Sequence, residues 1–351
     1  MSLSPEGKRF ATATEVAVTG GSGFIGGHLV RALSKCGRRV VVVDLSVPRQ
    51  EILDLPGVRY AKADLRDFGD VLLALQGTDT VFHLAGNASG TLSVEQPRFD
   101  FEVNAVGTSN IGNAAALLGV RKLVYLSSAI VYGTPQHTPM TEHHPTRPFL
   151  PYGASKLAGE LALCSLHDAL GLPVVIGRSF VVYGPGEDPR RAGGEVSQFL
   201  RWQLNRLPIP LVGDRDRKTR DFIHVSDLCQ ALITLAEAGT DGEIYNLGSG
   251  REVSMQQLAD AVAEATCRPA RLEADTTRLE DSFRLVADVS RLSGLGFKPE
   301  YDLASGLRGL AEHLGPHPEL PSVTAVFRRG PAAGGPAAEE PAKAGAEVTA
   351  C

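Results

Sequence analysis

The chain has 351 residues, 43% of them apolar and 21% charged, a composition that suits a large folded core and excludes both a small disulfide-stabilised domain and a disordered protein. A chain of this length corresponds to about two structural units. The 35 basic residues are outnumbered by 40 acidic ones, for a net charge of −5, so nucleic acid is not an expected partner.

The N-terminal segment lacks the hydrophobic core of a signal peptide. No apolar run in the sequence reaches the roughly 18 residues that a membrane-spanning helix needs. The five cysteines are far apart and include no Cys-x-x-Cys pair, so we expect reduced thiols. These features predict a cytosolic protein with no membrane partner.

A strand, a glycine-rich loop and a helix are predicted near the N-terminus, over residues 16–33. Three glycines with the spacing Gly-x-x-Gly-x-x-Gly would let the backbone approach a pyrophosphate, while the helix N-terminus supplies N–H donors and a positive dipole end. The alternative is that these glycines serve only a tight turn and close helix packing. We expect dinucleotide contacts from Gly20, Gly23, Phe24, Ile25 and Gly26.

The second predicted strand ends at Asp44. A carboxylate at this position can accept hydrogen bonds from both ribose hydroxyls and would repel a 2′-phosphate, which favours NAD over NADP. Arg49 lies close enough to weaken that preference, and capping of the strand end is the alternative role for Asp44. Asp64 and Leu65 follow the third strand, where they either contact the adenine or belong to a plain surface loop.

Six short apolar strands alternate with helical segments through the first half of the chain. This rhythm is typical of a parallel sheet covered on both faces. The sequence therefore predicts an α/β fold with a Rossmann-type doubly wound parallel sheet. The predicted strands are residues 16–18, 40–44, 58–60, 80–84, 122–126 and 174–176.

Three polar residues suggest a catalytic group. Ser128 follows the fifth strand at its carboxyl end, the edge where open α/β sheets bind ligands. Tyr152 and Lys156 are four residues apart, hence on one face of a predicted helix. A free tyrosine titrates at about pH 10, and an adjacent ammonium is expected to lower that pKa, making Tyr152 a usable base. An exposed helix pair is the alternative for Tyr152 and Lys156 taken alone.

Beyond about residue 180 the strand–helix rhythm gives way to segments rich in glycine and proline. We expect residues 14–180 to form an NAD-binding lobe, recrossed at about 222–247, and residues 181–316 to form a smaller substrate-binding α/β lobe. The tail at 317–351 should be disordered, because 15 of its last 22 residues are Ala, Gly or Pro. No metal site is expected, because nothing at metal-ligand spacing accompanies His143 and His144.

Seven motifs, in this order along the chain, resemble those of the extended short-chain dehydrogenase/reductases. Within that group the chain is similar to the NAD-dependent epimerase/dehydratase family, over about residues 14–316. The motifs are residues 20–26, residues 82–85, Asn104 with Gly107-Thr108, Ser128 with Val131-Tyr132-Gly133, Tyr152 with Lys156, Tyr183-Gly184-Pro185 and Arg220-Asp221-Phe222.

This resemblance implies a tightly bound NAD, with a nucleotide sugar held over the nicotinamide. By the same analogy Tyr152 removes a proton from a sugar hydroxyl, usually at C4, while hydride leaves that carbon for NAD. Lys156 would keep the tyrosine ionised and contact the nicotinamide ribose, and Ser128 would hydrogen-bond the reacting oxygen. An epimerase then returns the hydride to the other face of the keto sugar, so that NAD is regenerated.

Further contacts are also implied by the resemblance. Leu84 and Ala85 would lie at the cofactor, and Val181 and Arg220 at the substrate. A guanidinium suits the bidentate binding of a diphosphate, and the alternative for Arg220 is a surface ion pair with Asp221. Family members dimerise through helices that correspond to the regions 104–118 and 152–170, so a homodimer is expected.

The chain departs from the family pattern where the substrate would bind. Ala129-Ile130 follow Ser128, whereas dehydratases of the family usually carry an Asp-Glu pair there, so elimination of water is disfavoured. Val181 replaces an asparagine that often binds substrate, and residues 213–220 are more basic than usual. The leading hypothesis is a 4-epimerase of a UDP-, dTDP- or GDP-linked sugar.

Three alternatives stay open at this point. A ketoreductase of a 4-keto nucleotide sugar would use the same Ser128, Tyr152 and Lys156 but would consume NAD(P)H. A nucleotide-sugar dehydratase ranks below it because of the missing acidic pair. A non-catalytic NAD-binding regulator is the alternative from another class, and the retained Tyr152 and Lys156 argue against it.

Overall fold

A computed structural model of the chain describes residues 15–190, 194–274 and 283–321. Its strands are β1 (Glu15–Thr19), β2 (Arg39–Asp44), β3 (Val58–Lys62), β4 (Thr78–His83), β5 (Lys122–Ser128), β6 (Val174–Ser179), β7 (Val181–Tyr183), β8 (Ile209–Leu211), β9 (Thr219–Arg220), β10 (Phe222–His224), β11 (Ile244–Leu247), β12 (Val253–Ser254), β13 (Leu272–Ala274) and β14 (Arg284–Leu285). Its helices are α1 (Phe24–Lys35), α2 (Gln50–Leu53), α3 (Phe68–Ala74), α4 (Gly90–Glu95), α5 (Pro97–Phe101), α6 (Gly107–Leu118), α7 (Pro151–Leu170), α8 (Glu195–Leu204), α9 (Val225–Ala238), α10 (Met255–Thr266), α11 (Ser290–Gly294) and α12 (Leu303–Leu314). A π-helical turn, Glu102–Val106, joins α5 to α6, and a 3-10 turn, Ala129–Tyr132, follows β5.

Seven strands form one sheet in the order β11-β6-β5-β4-β1-β2-β3. Every neighbouring pair in this sheet is parallel. One apolar cluster packs the sheet against α1 and α9, and a second packs its other face against α3, α6 and α7. The predicted Rossmann-type doubly wound sheet is therefore confirmed.

The strands appear where the apolar runs predicted them. All six predicted strands are present, and their ends differ from the prediction by at most three residues. The largest difference is in β6, which continues to Ser179 because residues 177–179 still pair with β5 and β11. The seventh strand, β11, lies within the segment 222–247 and pairs with β6, so the chain returns to the large sheet after β10 and α9.

The smaller lobe combines α8, α10 and α12 with short strand pairs and a three-stranded sheet, β12-β9-β14. Its core is a separate apolar cluster. Residues 317–321 belong to the tail that was expected to be disordered, and two of their carbonyls accept hydrogen bonds from α8 and the residue after it. Arg201 donates to the Glu319 carbonyl at 2.9 Å and Asn205 to the Pro318 carbonyl at 2.8 Å. Residues 322–351 of that tail lie outside the described residues.

In the three described ranges, no helix has both the length and the apolar character that a membrane crossing requires. The same residues contain no group of three or more His, Cys, Asp or Glu side chains that could hold a metal ion. The described cysteines, Cys36, Cys164, Cys229 and Cys267, are free thiols.

Candidate active site

The glycine loop lies where the strand order of the sheet reverses, beside the carboxyl ends of β1 and β4. Gly20 has a φ of +72°, and a Cβ there would lie 2.8 Å from the Ala85 backbone. A Cβ on Gly26 would lie 2.1 Å from the Gly20 carbonyl oxygen. Gly23 caps α1 without a side-chain hydrogen bond, which leaves first-turn N–H donors for an anion. The loop therefore fits a pyrophosphate.

Asp44 connects the end of β2 to this loop. Its Oδ2 accepts a hydrogen bond from the Ser22 N–H at 3.1 Å, and its Oδ1 accepts one from the Ser46 N–H at 3.0 Å. A carboxylate has about four acceptor sites, so Asp44 can hold the loop and still accept hydrogen bonds from two ribose hydroxyls. This geometry suits the adenosine half of NAD.

Asp64 and Leu65 have partners within the protein. The Arg66 guanidinium lies 2.6 Å from Oδ2 of Asp64, and this contact lowers the pKa of the Asp64 carboxyl. The Leu65 side chain is 7% exposed and packs in the core under Gly107. The Leu65 side chain is therefore largely covered by the protein itself.

The loop after β4 completes the crevice. The N–H groups of Leu84 and Ala85 donate to Oγ1 of Thr19, at 3.2 and 3.1 Å. These bonds hold the backbone of the loop against the end of β1. A Cβ on the next residue, Gly86, would lie 4.0 Å from Nζ of Lys156. The predicted catalytic lysine and the predicted cofactor loop therefore lie side by side.

The structure brings Ser128, Tyr152 and Lys156 together. β5 ends at Ser128, which is 8% exposed and whose Oγ accepts a hydrogen bond from the Ile130 N–H at 3.3 Å. Tyr152, in the first turn of α7, lies close enough to Ser128 for that side chain to lower the pKa of the phenol. Lys156 lies one turn further along α7, 5% exposed, with Nζ 4.5 Å from the centroid of the Tyr125 ring.

Burial is the largest influence on the pKa values of Tyr152 and Lys156. Burial raises the pKa of Tyr152, against the hydrogen bond from Ser128, which lowers it. Burial also lowers the pKa of Lys156 to about 8, although the carboxylates of Glu160 and Asp100 oppose that shift. The expectation that Lys156 brings the pKa of Tyr152 below its ordinary value is therefore wrong, because burial raises that pKa. The physical reason is that the phenol and the ammonium share one dehydrated crevice.

A buried polar network underlies the first turn of α7, and the sequence analysis named only one of its members, Asn104. Asp100, fully buried, accepts hydrogen bonds from Asn87 Nδ2 at 2.6 Å, Asn104 Nδ2 at 3.0 Å and Ser155 Oγ at 2.6 Å. Asn104 lies in the π-helical turn, a feature that often marks functional sites. The network ties the helical segment 97–106 to the helix that carries Tyr152. The sequence signal for this network is that Asp100 and Asn104 are four residues apart, which places them on one face of a helix.

A second missed group lies one turn beyond Lys156. Glu160 and Arg178 form a bidentate ion pair, with Nη2 2.6 Å from Oε2 and Nε 3.0 Å from Oε1. Their side chains are 2% and 4% exposed. Ser127 Oγ also donates to Glu160, at 2.5 Å. The pair therefore joins α7 to β5 and β6 beside the catalytic group.

Val181 and Arg220 both lie in short strands at the base of the smaller lobe. Arg220 has an ion-pair partner that the sequence did not predict, Glu195. β7 begins at Val181 and pairs with β10, and a Cβ on Gly194 would lie 2.9 Å from Cγ1 of Val181. Nε of Arg220 lies 3.1 Å from Oε1 of Glu195. The alternative surface pair with Asp221 is wrong, because the Asp221 carboxylate is buried and accepts backbone hydrogen bonds from residues 249 and 250.

Comparisons with known proteins identify the family of the chain. The model of the NAD-dependent epimerase/dehydratase family matches residues 16–248. The UDP-glucose 4-epimerase of Mycolicibacterium smegmatis is 37% identical over 304 residues, which cover 84% of this chain and 96% of that protein. A dTDP-glucose 4,6-dehydratase of an Actinoplanes species is 31% identical, over 84% of this chain and 95% of its own length. The crystal structure of the Thermus thermophilus UDP-glucose 4-epimerase in complex with NAD superposes with a TM-score of 0.76 at 35% identity, covering 85% of this chain and 98% of that one.

Proposed function

Because the chain belongs to the NAD-dependent epimerase/dehydratase family, we propose that it is a nucleotide-sugar 4-epimerase. The resemblance found in the sequence is thereby confirmed, and NAD is the cofactor of the family. The observation that carries the proposal is the convergence of Ser128, Tyr152 and Lys156 beside the glycine loop. The glycine loop, the N-terminus of α1 and Asp44 fit the pyrophosphate and ribose of NAD.

The chain's own residues perform the proton chemistry in this proposal. Tyr152 takes the proton of a sugar hydroxyl and later returns it, while Ser128 donates a hydrogen bond to the same sugar oxygen. Lys156, with a pKa of about 8, is mostly protonated at neutral pH and stabilises the phenolate as it forms. NAD, held by the glycine loop and Asp44, would supply the acceptor and donor of hydride for the sugar carbon. Return of the hydride to the opposite face of the keto sugar, with the proton returned to the same oxygen, would give the 4-epimer with no net redox change.

Residues after Ser128 favour epimerisation over elimination. The positions where family dehydratases usually carry an acidic pair hold Ala129 and Ile130. Ala129 is buried in a small apolar cluster with Val131 and Phe180. Neither side chain can exchange a proton, so the β-elimination of a dehydratase lacks its acid and base at this point. This difference from the usual dehydratase pattern favours an epimerase.

The test is an assay of the purified protein with a panel of UDP-, dTDP- and GDP-linked sugars. We expect NMR to show inversion at C4 of one substrate, with only transient absorbance from reduced cofactor. Steady consumption of NADH with a 4-keto sugar would indicate the ketoreductase alternative instead. Loss of a 6-hydroxyl as water would indicate a dehydratase.

We also propose that the chain forms a homodimer through α6 and α7. These helices pack closely, since a Cβ on Gly112 would lie 2.6 Å from Cδ2 of Leu163. Their outer faces expose apolar side chains, with Leu117 72% and Leu161 61% exposed. We expect light scattering to give twice the mass of the chain and Leu161→Lys to shift it towards the monomer. Leu207→Lys, at an exposed apolar position of the smaller lobe, is the matched control, and a monomeric wild type would contradict the proposal.

Asp44→Ala is expected to weaken NAD binding by about tenfold to a hundredfold, because hydrogen bonds to a charged group contribute about 1.5–3 kcal/mol. It should also reduce the discrimination against NADP, because the repulsion of a 2′-phosphate is lost. Dissociation constants for both cofactors, measured by calorimetry on protein freed of nucleotide, check this. Asp44→Asn, which keeps the shape and one acceptor oxygen, should relax the discrimination with a smaller loss of NAD affinity. Unchanged affinities in both variants would remove Asp44 from the cofactor site.

A further inference from the structure

The arginine that we place at the substrate's diphosphate is already paired with a carboxylate of this chain. Oε1 of Glu195 lies 3.1 Å from Nε of Arg220 and 3.6 Å from Nζ of Lys218. The two cationic side chains are only 5% and 7% exposed, and Glu195 is 22% exposed. Although burial opposes ionisation, the charges of Arg220 and Lys218 hold the pKa of Glu195 below its ordinary value. Glu195 is therefore ionised at neutral pH.

This cluster lies on the part of the smaller lobe that meets the N-terminal end of α7. Nη1 of Arg220 donates to the Phe283 carbonyl at 2.8 Å. The Phe283 ring lies 5.9 Å, between centroids, from the ring of Phe149, which is three residues before Tyr152. Glu195 itself opens α8 directly after Gly194, which contacts Val181. An anion that binds the Arg220 guanidinium would therefore meet the Glu195 carboxylate.

The charge balance of the cluster decides how an anion binds there. Lys218 and Arg220 each carry a positive charge, and the Glu195 carboxylate offsets part of it. Removal of that carboxylate would make the site more positive towards an anion. The Coulomb energy of a charge pair is larger in a poorly hydrated site than in water, and a carboxylate and a diphosphate offer the same kind of acceptor oxygens to a guanidinium. The two anions must therefore compete for the same donors.

We propose that Glu195 is a specificity-determining residue that competes with the substrate's diphosphate for Arg220 and Lys218. This inference rests on the proposed function, because it assigns the diphosphate of a nucleotide sugar to Arg220. The Glu195 carboxylate turns away from the two cations when a nucleoside diphosphate binds. Because its ion pair with Arg220 is lost in that step, the affinity for the diphosphate is lower than it would be without Glu195. Binding of the nucleotide sugar then depends more on its base and sugar than on its phosphates.

Glu195→Gln tests this proposal. The variant keeps the side-chain size and removes the charge, and we expect it to bind a nucleoside diphosphate at least about tenfold more tightly than the wild type does. Calorimetry with UDP, dTDP and GDP on the NAD-loaded protein measures the effect. Glu273→Gln is the matched control: Glu273 pairs with Arg271 in the same lobe, at 3.9 Å, and its loss should change the affinity less than about threefold.

Each outcome decides the proposal. Tighter binding to Glu195→Gln supports it, whereas equal or weaker binding, or no binding of any of the three diphosphates, overturns it. Thermal melting and bound NAD check that the variant is folded, and Glu195→Ala replaces it if it is not. The sugar panel is read separately: tighter binding without inversion of any sugar would reject the 4-epimerase and keep the role of Glu195. Inversion with unchanged binding would reject the role of Glu195 alone.

Discussion

Replacement of Tyr152 by phenylalanine is expected to lower turnover by about a hundredfold to ten-thousandfold, the range that a positioned acid–base group contributes. The substitution removes one oxygen atom, so the ring still packs at the start of α7. Bound NAD should be unaffected, because the glycine loop and Asp44 do not contact the phenol oxygen. Initial rates with the nucleotide sugar identified in the panel, together with NAD released on denaturation, measure the two effects.

Tyr245→Phe is the matched control for this prediction. Tyr245 is another buried tyrosine of the large sheet, and its hydroxyl accepts a hydrogen bond from the Thr240 N–H at the opposite end of the strand from the catalytic crevice. Its loss should leave turnover within about threefold of the wild type, since no catalytic proton is involved. If Tyr152→Phe also retained full turnover, Tyr152 would not be the base, and the proposed mechanism would be wrong.

The large sheet could be predicted because its strands are buried on both faces. Parallel strands of this kind read as continuous apolar runs, as at residues 40–43, which are all fully buried. The smaller lobe carries no comparable signal. Two of its strands, β9 and β14, are two residues long, and two residues have no hydrophobic period. Their pairing is set by tertiary contacts.

The catalytic group could be predicted for a similar reason, because Tyr152 and Lys156 are related by one helical turn. The residues around the catalytic group contact partners that are far away in the sequence, so their spacing does not reveal them. Asp100 meets Ser155 across 55 residues, and neither residue is distinctive alone. The basic segment 213–220 was noticed, but the sequence does not show that a carboxylate from α8 balances it. The direction of the pKa shift of Tyr152 was also wrong, because burial cannot be seen from spacing.

Glu160→Ala is expected to destabilise the fold by about 3–5 kcal/mol, the usual cost of removing one partner of a buried ion pair. The guanidinium of Arg178 would stay buried with the Glu142 carbonyl, at 3.2 Å, and the Tyr132 ring as its remaining described partners. The variant also loses a carboxylate that raises the pKa of Lys156. The pKa of Lys156 should then fall below its value of about 8, and the alkaline limb of the pH–rate profile should move to lower pH. Urea unfolding and that profile measure the two consequences.

The double variant Glu160→Leu/Arg178→Met separates the energy of the pair from the cost of leaving a charge unpaired. Because both charged groups are removed, it should recover much of the stability that Glu160→Ala loses. Glu51→Ala is the exposed control: its pair with Arg31 has a 75% exposed carboxylate side chain, and exposed pairs contribute about 0–1 kcal/mol. A Glu160→Ala protein as stable as the Glu51→Ala protein would show that Arg178 finds other partners. The ion pair would then not be what fixes α7, and with it Lys156, against β5 and β6.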